Sequence, residues 1–276
     1  MNAPTETGSA YAFERTPSEY ERLRAQSRGW EAATVRAFDT IGIPPGASCL
    51  DAGCGPGETM RLLADRAGPS GSVTGIDADA GLGPLVEDFL RKAGYGQCRF
   101  LAADLNNDGP VPGGPYDVVF ARLLLFHLPQ RLEVLRRLWD AVAPGGHLLV
   151  QDYDFHTIEV LPPLASADEV TGLFTAAFHA RGCDTRVGLH MRQLFIQAGI
   201  GVPDGVDVAG RVQPLGEGSG MFGQVLRGVL STAIVHGLTD AEHGEAAVAA
   251  LDRDAAAYPD YTMVWPTMLA TWKQRA

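Results

Sequence analysis

The residues best suited to chemistry cluster in the first half of the chain. Leu50-Asp51-Ala52-Gly53-Cys54-Gly55-Pro56-Gly57-Glu58-Thr59 sets glycines at alternate positions after a short apolar run. Such a loop lets a ligand approach the backbone closely, and the helix that follows offers unpaired N–H groups at its start. By itself it is also what a tight strand-to-helix turn looks like. Two acids lift it above that. Asp77 lies 20 residues beyond Gly57, at the end of the next strand-like segment, where a carboxylate can take both hydroxyls of a ribose. Asp104 closes the third such segment, in position to accept from an adenine amino group. Loop, acid and acid on consecutive strand ends make one adenosine site at the carboxyl edge of a sheet. The dinucleotide fingerprint GxGxxG is not met, since Glu58 stands where the third glycine belongs, and no Walker lysine motif occurs. Glu58 beside the loop would also repel a pyrophosphate.

Further along, His127 follows the fourth strand-like segment and opens the next helix. It is a candidate general base, or a helix-start residue packed on Pro129. Asp152 and Asp154 share one side of an alternating strand end, with Tyr153 pointing the other way. Either acid could orient a substrate hydroxyl or amine, or simply face solvent. His179, His190, His236 and His243 read as surface or core histidines. HExxH and clustered Cys/His spacings are missing, so no metal site is expected. The absence of GxSxG speaks against a serine hydrolase.

The elements that must position these groups follow from the pattern. A charge-rich helix is predicted from Pro17 to about Phe38, and Pro44-Pro45-Gly46 breaks the chain. Strand-like stretches then fall at Ser48–Asp51, Ser72–Asp77, Cys98–Asp104, Tyr116–Ala121 and His147–Tyr153. Helices lie between them: one carries the stripe Met60, Leu63, Ala64, Ala67, and another, Arg131–Val142, ends at Pro144-Gly145-Gly146. Alternation with short connections implies a parallel sheet covered on both faces. Beyond Asp154 helices predominate, at about 167–181, 190–198, 219–236 and 240–257, around a strand near Val206–Pro214. Tyr261–Lys273 reads as a final strand interrupted at Pro266.

The 276 residues carry 22 basic and 33 acidic side chains, a net charge of −11. That balance disfavours a nucleic-acid backbone or an anionic membrane as partner. No apolar run reaches the ~18–20 residues of a membrane span. The polar first ten residues show no signal-peptide pattern, and four cysteines without framework spacing read as reduced cytoplasmic thiols.

As a set, Asp51-Ala52-Gly53-Cys54-Gly55-Pro56-Gly57, Gly75-Ile76-Asp77, Ala103-Asp104-Leu105, Tyr116-Asp117-Val118-Val119 and Ala143-Pro144-Gly145-Gly146 resemble the class I S-adenosylmethionine (SAM)-dependent methyltransferases. The likeness is close over residues 48–154. A wider similarity to small-molecule methyltransferases, including the ubiquinone-biosynthesis type, takes in Glu19 to Gln26, Arg122 to Pro129, Asp184 to Ile200 and Trp265 to Trp272. The resemblance implies an α/β fold: a doubly wound, mostly parallel seven-stranded Rossmann-like sheet with a helical cap. Residues 1–40 would be an N-terminal helical lid, 41–155 the SAM-binding core, and 156–276 the rest of the sheet with an inserted substrate cap. It also implies SAM as cofactor, with S-adenosylhomocysteine as product. The cofactor-binding set would be Tyr11, Arg22, Gln26, Asp51, Gly53, Cys54, Gly55, Gly57, Asp77, Ala78, Ala103, Asp104, Leu105 and Arg122. Gly53 and its neighbours would face the methionine part, Asp77 the ribose, and Ala103 and Asp104 the adenine. His127 and Asp152 are the catalytic candidates.

Departures from subfamily patterns narrow the acceptor. Ala121-Arg122-Leu123-Leu124 is not the Asn/Asp-Pro-Pro-aromatic motif of enzymes that methylate base amines, and the metal-binding acids of the catechol type are missing. The expected partner is a small organic molecule, partly apolar or aromatic, under a roof holding Phe155, Phe174, Phe178, Phe195, Met221, Phe222 and Trp265. A homodimer is compatible with this reading. A SAM-bound rearrangement without methyl transfer, and a non-catalytic SAM-binding partner subunit, stand as the alternatives.

Overall fold

The computed structural model describes residues 16–107 and 109–276; Tyr11, expected at the cofactor, lies outside them. Thr16 caps the first helix by accepting from the Glu19 N–H at 3.2 Å. The helix predicted from Pro17 to Phe38 is in fact two, α1 (Pro17–Gly29) and α2 (Glu31–Ile41). Trp30 leaves the helical path between them and buries its indole, with the Tyr153 ring 5.7 Å away. Burial of one large side chain outweighs the few tenths of a kcal/mol by which the local sequence favours helix.

The alternating segments follow in order: β1 (Ser48–Ala52), α3 (Glu58–Ala67), β2 (Ser72–Asp77), α4 (Leu82–Lys92), β3 (Cys98–Ala102), β4 (Tyr116–Arg122), α5 (Arg131–Asp140) and β5 (Val142–Asp154). Pro144-Gly145-Gly146 lies inside β5 and does not precede it. The register jumps there, Tyr116 pairing with Val142 but Val118 with His147. The bulge needs its glycines: Gly145 has φ +80°, and a Cβ on Gly146 would sit 2.7 Å from the Asp117 carbonyl oxygen. The remaining elements are β6 (Glu159–Leu161), α6 (Ala165–Ala180), α7 (Val187–Gln197), β7 (Gly205–Ala209), β8 (Val212–Pro214), α8 (Leu215–Val235), α9 (Ala241–Ala257), β9 (Thr262–Val264) and β10 (Thr267–Gln274).

Seven strands form one sheet in the order β3-β2-β1-β4-β5-β10-β7. The first five are parallel, while β10 runs antiparallel to both β5 and β7. The expected Rossmann-like sheet is present. The final segment, however, divides at Pro266: β10 enters the large sheet, and β9 joins a small antiparallel sheet, β6-β9-β8, that the sequence pattern did not suggest. Fully buried Leu50, Val73, Ile76, Val119 and Leu148 explain the sheet, since parallel strands covered on both faces must be apolar on both. On one face Phe38 meets Phe120 edge-on at 4.9 Å; on the other, α6 and α8 join through Phe174 and Phe222 at 6.0 Å. The order in which successive strands are added reverses between β1 and β4, and a crevice opens there beyond the strand ends.

Candidate functional site

That crevice is a cavity of about 430 Å³. Its floor is the glycine loop. Gly53, Gly55 and Gly57 all have positive φ (72°, 49° and 84°), a conformation that costs other residues about 1–2 kcal/mol each. The Gly53 and Cys54 N–H groups both donate to the Ile76 carbonyl, which ties the loop to β2. Gly53, Cys54 and Gly55 line the cavity, whereas Gly57 does not. Gly57 is the turn into α3, where a Cβ would press to 2.9 Å from Val86. Cys54 contributes backbone chemistry only, because burial holds its thiol well above the ordinary range.

Three acids surround this loop. Asp77, on the last residue of β2, accepts from the Gly55 N–H at 3.0 Å with one oxygen and from the Asp79 N–H at 2.9 Å with the other. Glu58, buried at the start of α3, pairs with Arg28 at 3.3 Å. Asp51 is fully enclosed on β1, and its Oδ2 has no hydrogen-bond partner among the described residues. Burial pushes its carboxyl up to about 7; Arg122 opposes that rise and Asp77 adds to it. Asp51 is among the residues of the cavity wall, and an orphaned buried carboxyl oxygen calls for a donor, best a cationic one.

The neighbouring strand ends complete the walls. Ala78, Ala103, Asp104 and Leu105 line the cavity at the ends of β2 and β3. Asp104 is exposed and turns one oxygen to the Asn106 N–H at 2.8 Å. Arg122, ending β4, donates to Thr34 Oγ1 at 2.9 Å and to Ser27 Oγ, and the Thr34 hydroxyl in turn donates to Gln151 Oε1 at 2.8 Å. Arg122 thus sits in the interior with hydroxyl partners, and burial lowers its pKa against the pull of Asp51. The next residue, Leu123, has φ +53°, so the chain is strained where β4 gives way to the site.

Helix α1 closes the top through contacts that the sequence pattern did not reveal. The Tyr20 hydroxyl donates to buried Asp79 at 2.5 Å, and Gln26 reaches the Tyr153 hydroxyl at 3.3 Å. Arg22 lines the cavity, with both oxygens of Glu19 on its guanidinium at 2.7 Å. The Tyr20–Asp79 and Gln26–Tyr153 pairings join residues 59 and 127 positions apart, so no local signal announces them.

The two catalytic candidates fare differently. His127 lines the cavity, at the end of a single 3₁₀ turn (Leu125–His127) and not at the start of a helix. Burial drives its imidazole down to about 3, with Arg22 and Arg181 acting in the same direction, so it is neutral near pH 7. Asp152 does not line the cavity. It is fully buried on the opposite side of β5, accepting from the Phe126 N–H at 3.1 Å and the Tyr153 N–H at 3.0 Å. The alternation along β5 holds, with Asp152 and Asp154 on one side, but the cavity lies on the Tyr153 side. Of the expected roof, Phe155 and Phe178 line the cavity, joined by Phe126 and Val225, while Phe195 is core.

Asp152 has a consequence for stability. Burial raises its carboxyl to about 7, above an unfolded value near 4. The folded state therefore binds the proton more tightly, and this residue's contribution falls as pH climbs from about 4 to 7, then levels off. The melting-temperature difference between wild type and Asp152→Asn should move in the variant's favour across that window. A difference that is flat from pH 4 to 7 would contradict the assignment.

The glycine loop and the acids on successive strand ends thus line one cavity at the switch point of a Rossmann-like sheet. Residues 49–146 match the family model described as "Methyltransferase domain". Methyltransferase str3 of Strobilurus tenacellus is 33% identical over 162 residues, which cover 58% of this chain and 55% of that protein. Trans-aconitate 2-methyltransferase of Rhizobium leguminosarum bv. trifolii is 37% identical over 102 residues, 37% of each chain. The chain thus spans about half, or less, of the length of these curated relatives. Among solved structures, a SAM-dependent methyltransferase from Aquifex aeolicus superposes with a TM-score of 0.51 at 17% identity, over 92% of this chain and 99% of that one, and so shares the fold. Residues 49–146 thus form a methyltransferase domain within a Rossmann-like fold.

Proposed function

We propose that the protein transfers the methyl group of SAM to a small organic acceptor. The observation that carries this reading is the acid-lined glycine loop, above all the unpartnered Oδ2 of buried Asp51. Asp51, Glu58 and Asp77 together favour a ligand that is positive at this end, as the α-ammonium and sulfonium of SAM are, and repel phosphates. Asp77 would hold the ribose, Ala103 and Asp104 the adenine, and Arg122 the methionine carboxylate. Gln26, Arg22 and the rest of α1 would close over them and exclude water. Bound SAM supplies an electrophilic methyl group, and the chain's task is to align an acceptor with it, worth about 7–11 kcal/mol of a barrier. His127, neutral and on the wall, would orient the acceptor through a hydrogen bond.

We read residues 1–40 as the lid, 41–155 as the cofactor core and 156–276 as the remaining sheet and acceptor cap. Four unpaired cysteines favour the reducing cytoplasm, and no helix among the described residues is long and apolar enough to cross a membrane. The protein would act alone or as a homodimer, on a small molecule and not on nucleic acid.

SAM or S-adenosylhomocysteine should raise the melting temperature by several degrees at 100 times Kd, where binding adds about 2.7 kcal/mol, while NAD and ATP should not. Stabilisation by NAD or ATP alone would defeat the reading. Turnover then separates its forms. Release of S-adenosylhomocysteine with an acceptor supports methyl transfer, product without it supports a rearrangement, and none of either supports a binding subunit.

A further inference from the structure

The cavity has two chemically distinct ends. One is the acidic floor described above. The other, beyond β4 and β5, is walled by Phe126, His127, Tyr153, Phe155, Phe178 and Val225. The rings touch one another: Phe126 lies 5.2 Å from Phe155 and 4.9 Å from Phe178, and Tyr153 meets Phe155 edge-on at 5.2 Å. Half-buried Phe155 is central to this cluster, in contact with three of the other rings of the wall.

Charge is the deciding property. His127 is neutral near pH 7, as derived above, and burial pushes the Tyr153 phenol up to about 12. The two guanidiniums on the cavity wall are both engaged. Glu19 holds Arg22 through two bonds, and Arg122, at the junction with the floor, is taken by the methionine carboxylate of SAM in the reading above. No carboxylate lines this end among the described residues. A carboxylate entering here would lose its water against aromatic rings with no uncommitted cation to meet it, which is prohibitive. An uncharged ring would gain by the same burial and by edge-to-face contacts with its neighbours.

We infer that this end is an acceptor subsite for an uncharged aromatic molecule bearing a hydroxyl, its ring against Phe155 and Phe178 and its oxygen toward Tyr153 and His127. The inference rests on the SAM-dependent reading. It separates this chain from its Rhizobium relative, which is named for a tricarboxylic acid.

The test uses the full chain saturated with S-adenosylhomocysteine, so that cofactor binding is verified first by its own thermal shift. 2-Naphthol and 4-hydroxybenzyl alcohol are then compared with trans-aconitate and with protonated benzylamine, by further thermal shift and, with SAM, by S-adenosylhomocysteine release. The neutral phenols should bind, and their kcat/KM should exceed that of trans-aconitate by at least about 100-fold, since a buried unpaired charge costs several kcal/mol. Preference for trans-aconitate or benzylamine, or no response to either phenol, would overturn the inference while leaving the cofactor shift in place. Phe155→Ala should raise KM for a phenol about 10-fold or more with S-adenosylhomocysteine affinity within about twofold, as loss of a ring contact confined to the acceptor end predicts. An unchanged KM in that variant would also overturn it.

Discussion

Asp77→Ala should weaken SAM binding by at least about 10-fold. Charge-assisted hydrogen bonds to two ribose hydroxyls are worth about 1.5–3 kcal/mol each before coupling, and 1.4 kcal/mol is tenfold in Kd. The structure adds a second cost. Asp77 also receives the Gly55 and Asp79 N–H groups, so its loss loosens the glycine loop and the turn after β2 as well. A lower melting temperature is therefore expected with the weaker binding, and calorimetric titration alone would confuse the two. Asp77→Asn separates them: its amide oxygen keeps one of the two backbone N–H bonds while its NH2 faces the other donor, and the charge is gone. It should lose less stability than Asp77→Ala and still bind SAM about 10-fold less well. Wild-type affinity in both variants would remove Asp77 from the site and the cofactor assignment with it.

The second large effect belongs to Asp51. Its folded pKa is about 7, held up by burial, and a cation placed at Oδ2 would draw it down. Binding then releases a proton below pH 7, so affinity for SAM should increase with pH, by about tenfold from pH 6 to 8, and level off above. Asp51→Asn should abolish that dependence and weaken binding about 10-fold at pH 8. Neither other candidate titrates into this window with the same consequence. His127 lies far below it, and Asp152 has the same range but turns away from the cavity. An affinity independent of pH in the wild type would mean that no cation sits against Asp51.

How far the sequence carried these residues follows a physical line. Asp51, Gly53, Gly55, Asp77 and Asp104 were legible because glycine loops and strand-end acids are local features at short spacings. The five parallel strands were legible for the same reason, each being a short apolar run between turn signals. Asp152 was misplaced because alternation says which residues share a face without saying which face a site will occupy. That depends on β10 and α7, which arrive from over 30 residues downstream. The Tyr20–Asp79, Gln26–Tyr153 and Arg122–Thr34 contacts depend on how α1 and α2 dock, and Trp30 redirects that docking by a turn no propensity predicts. Gly57 is a different kind of miss. Its left-handed backbone is needed, but for the turn into α3 and not for the ligand.

A structure of the complex with S-adenosylhomocysteine tests the central claim most directly. The account predicts ribose hydroxyls on Asp77, the α-ammonium within hydrogen-bond reach of Asp51 Oδ2, the adenine beside Ala103 and Asp104, and the sulfur directed at Tyr153 and Phe155. A ligand bound outside this cavity, or lying in it with the ammonium away from Asp51 and the ribose away from Asp77, would contradict the account.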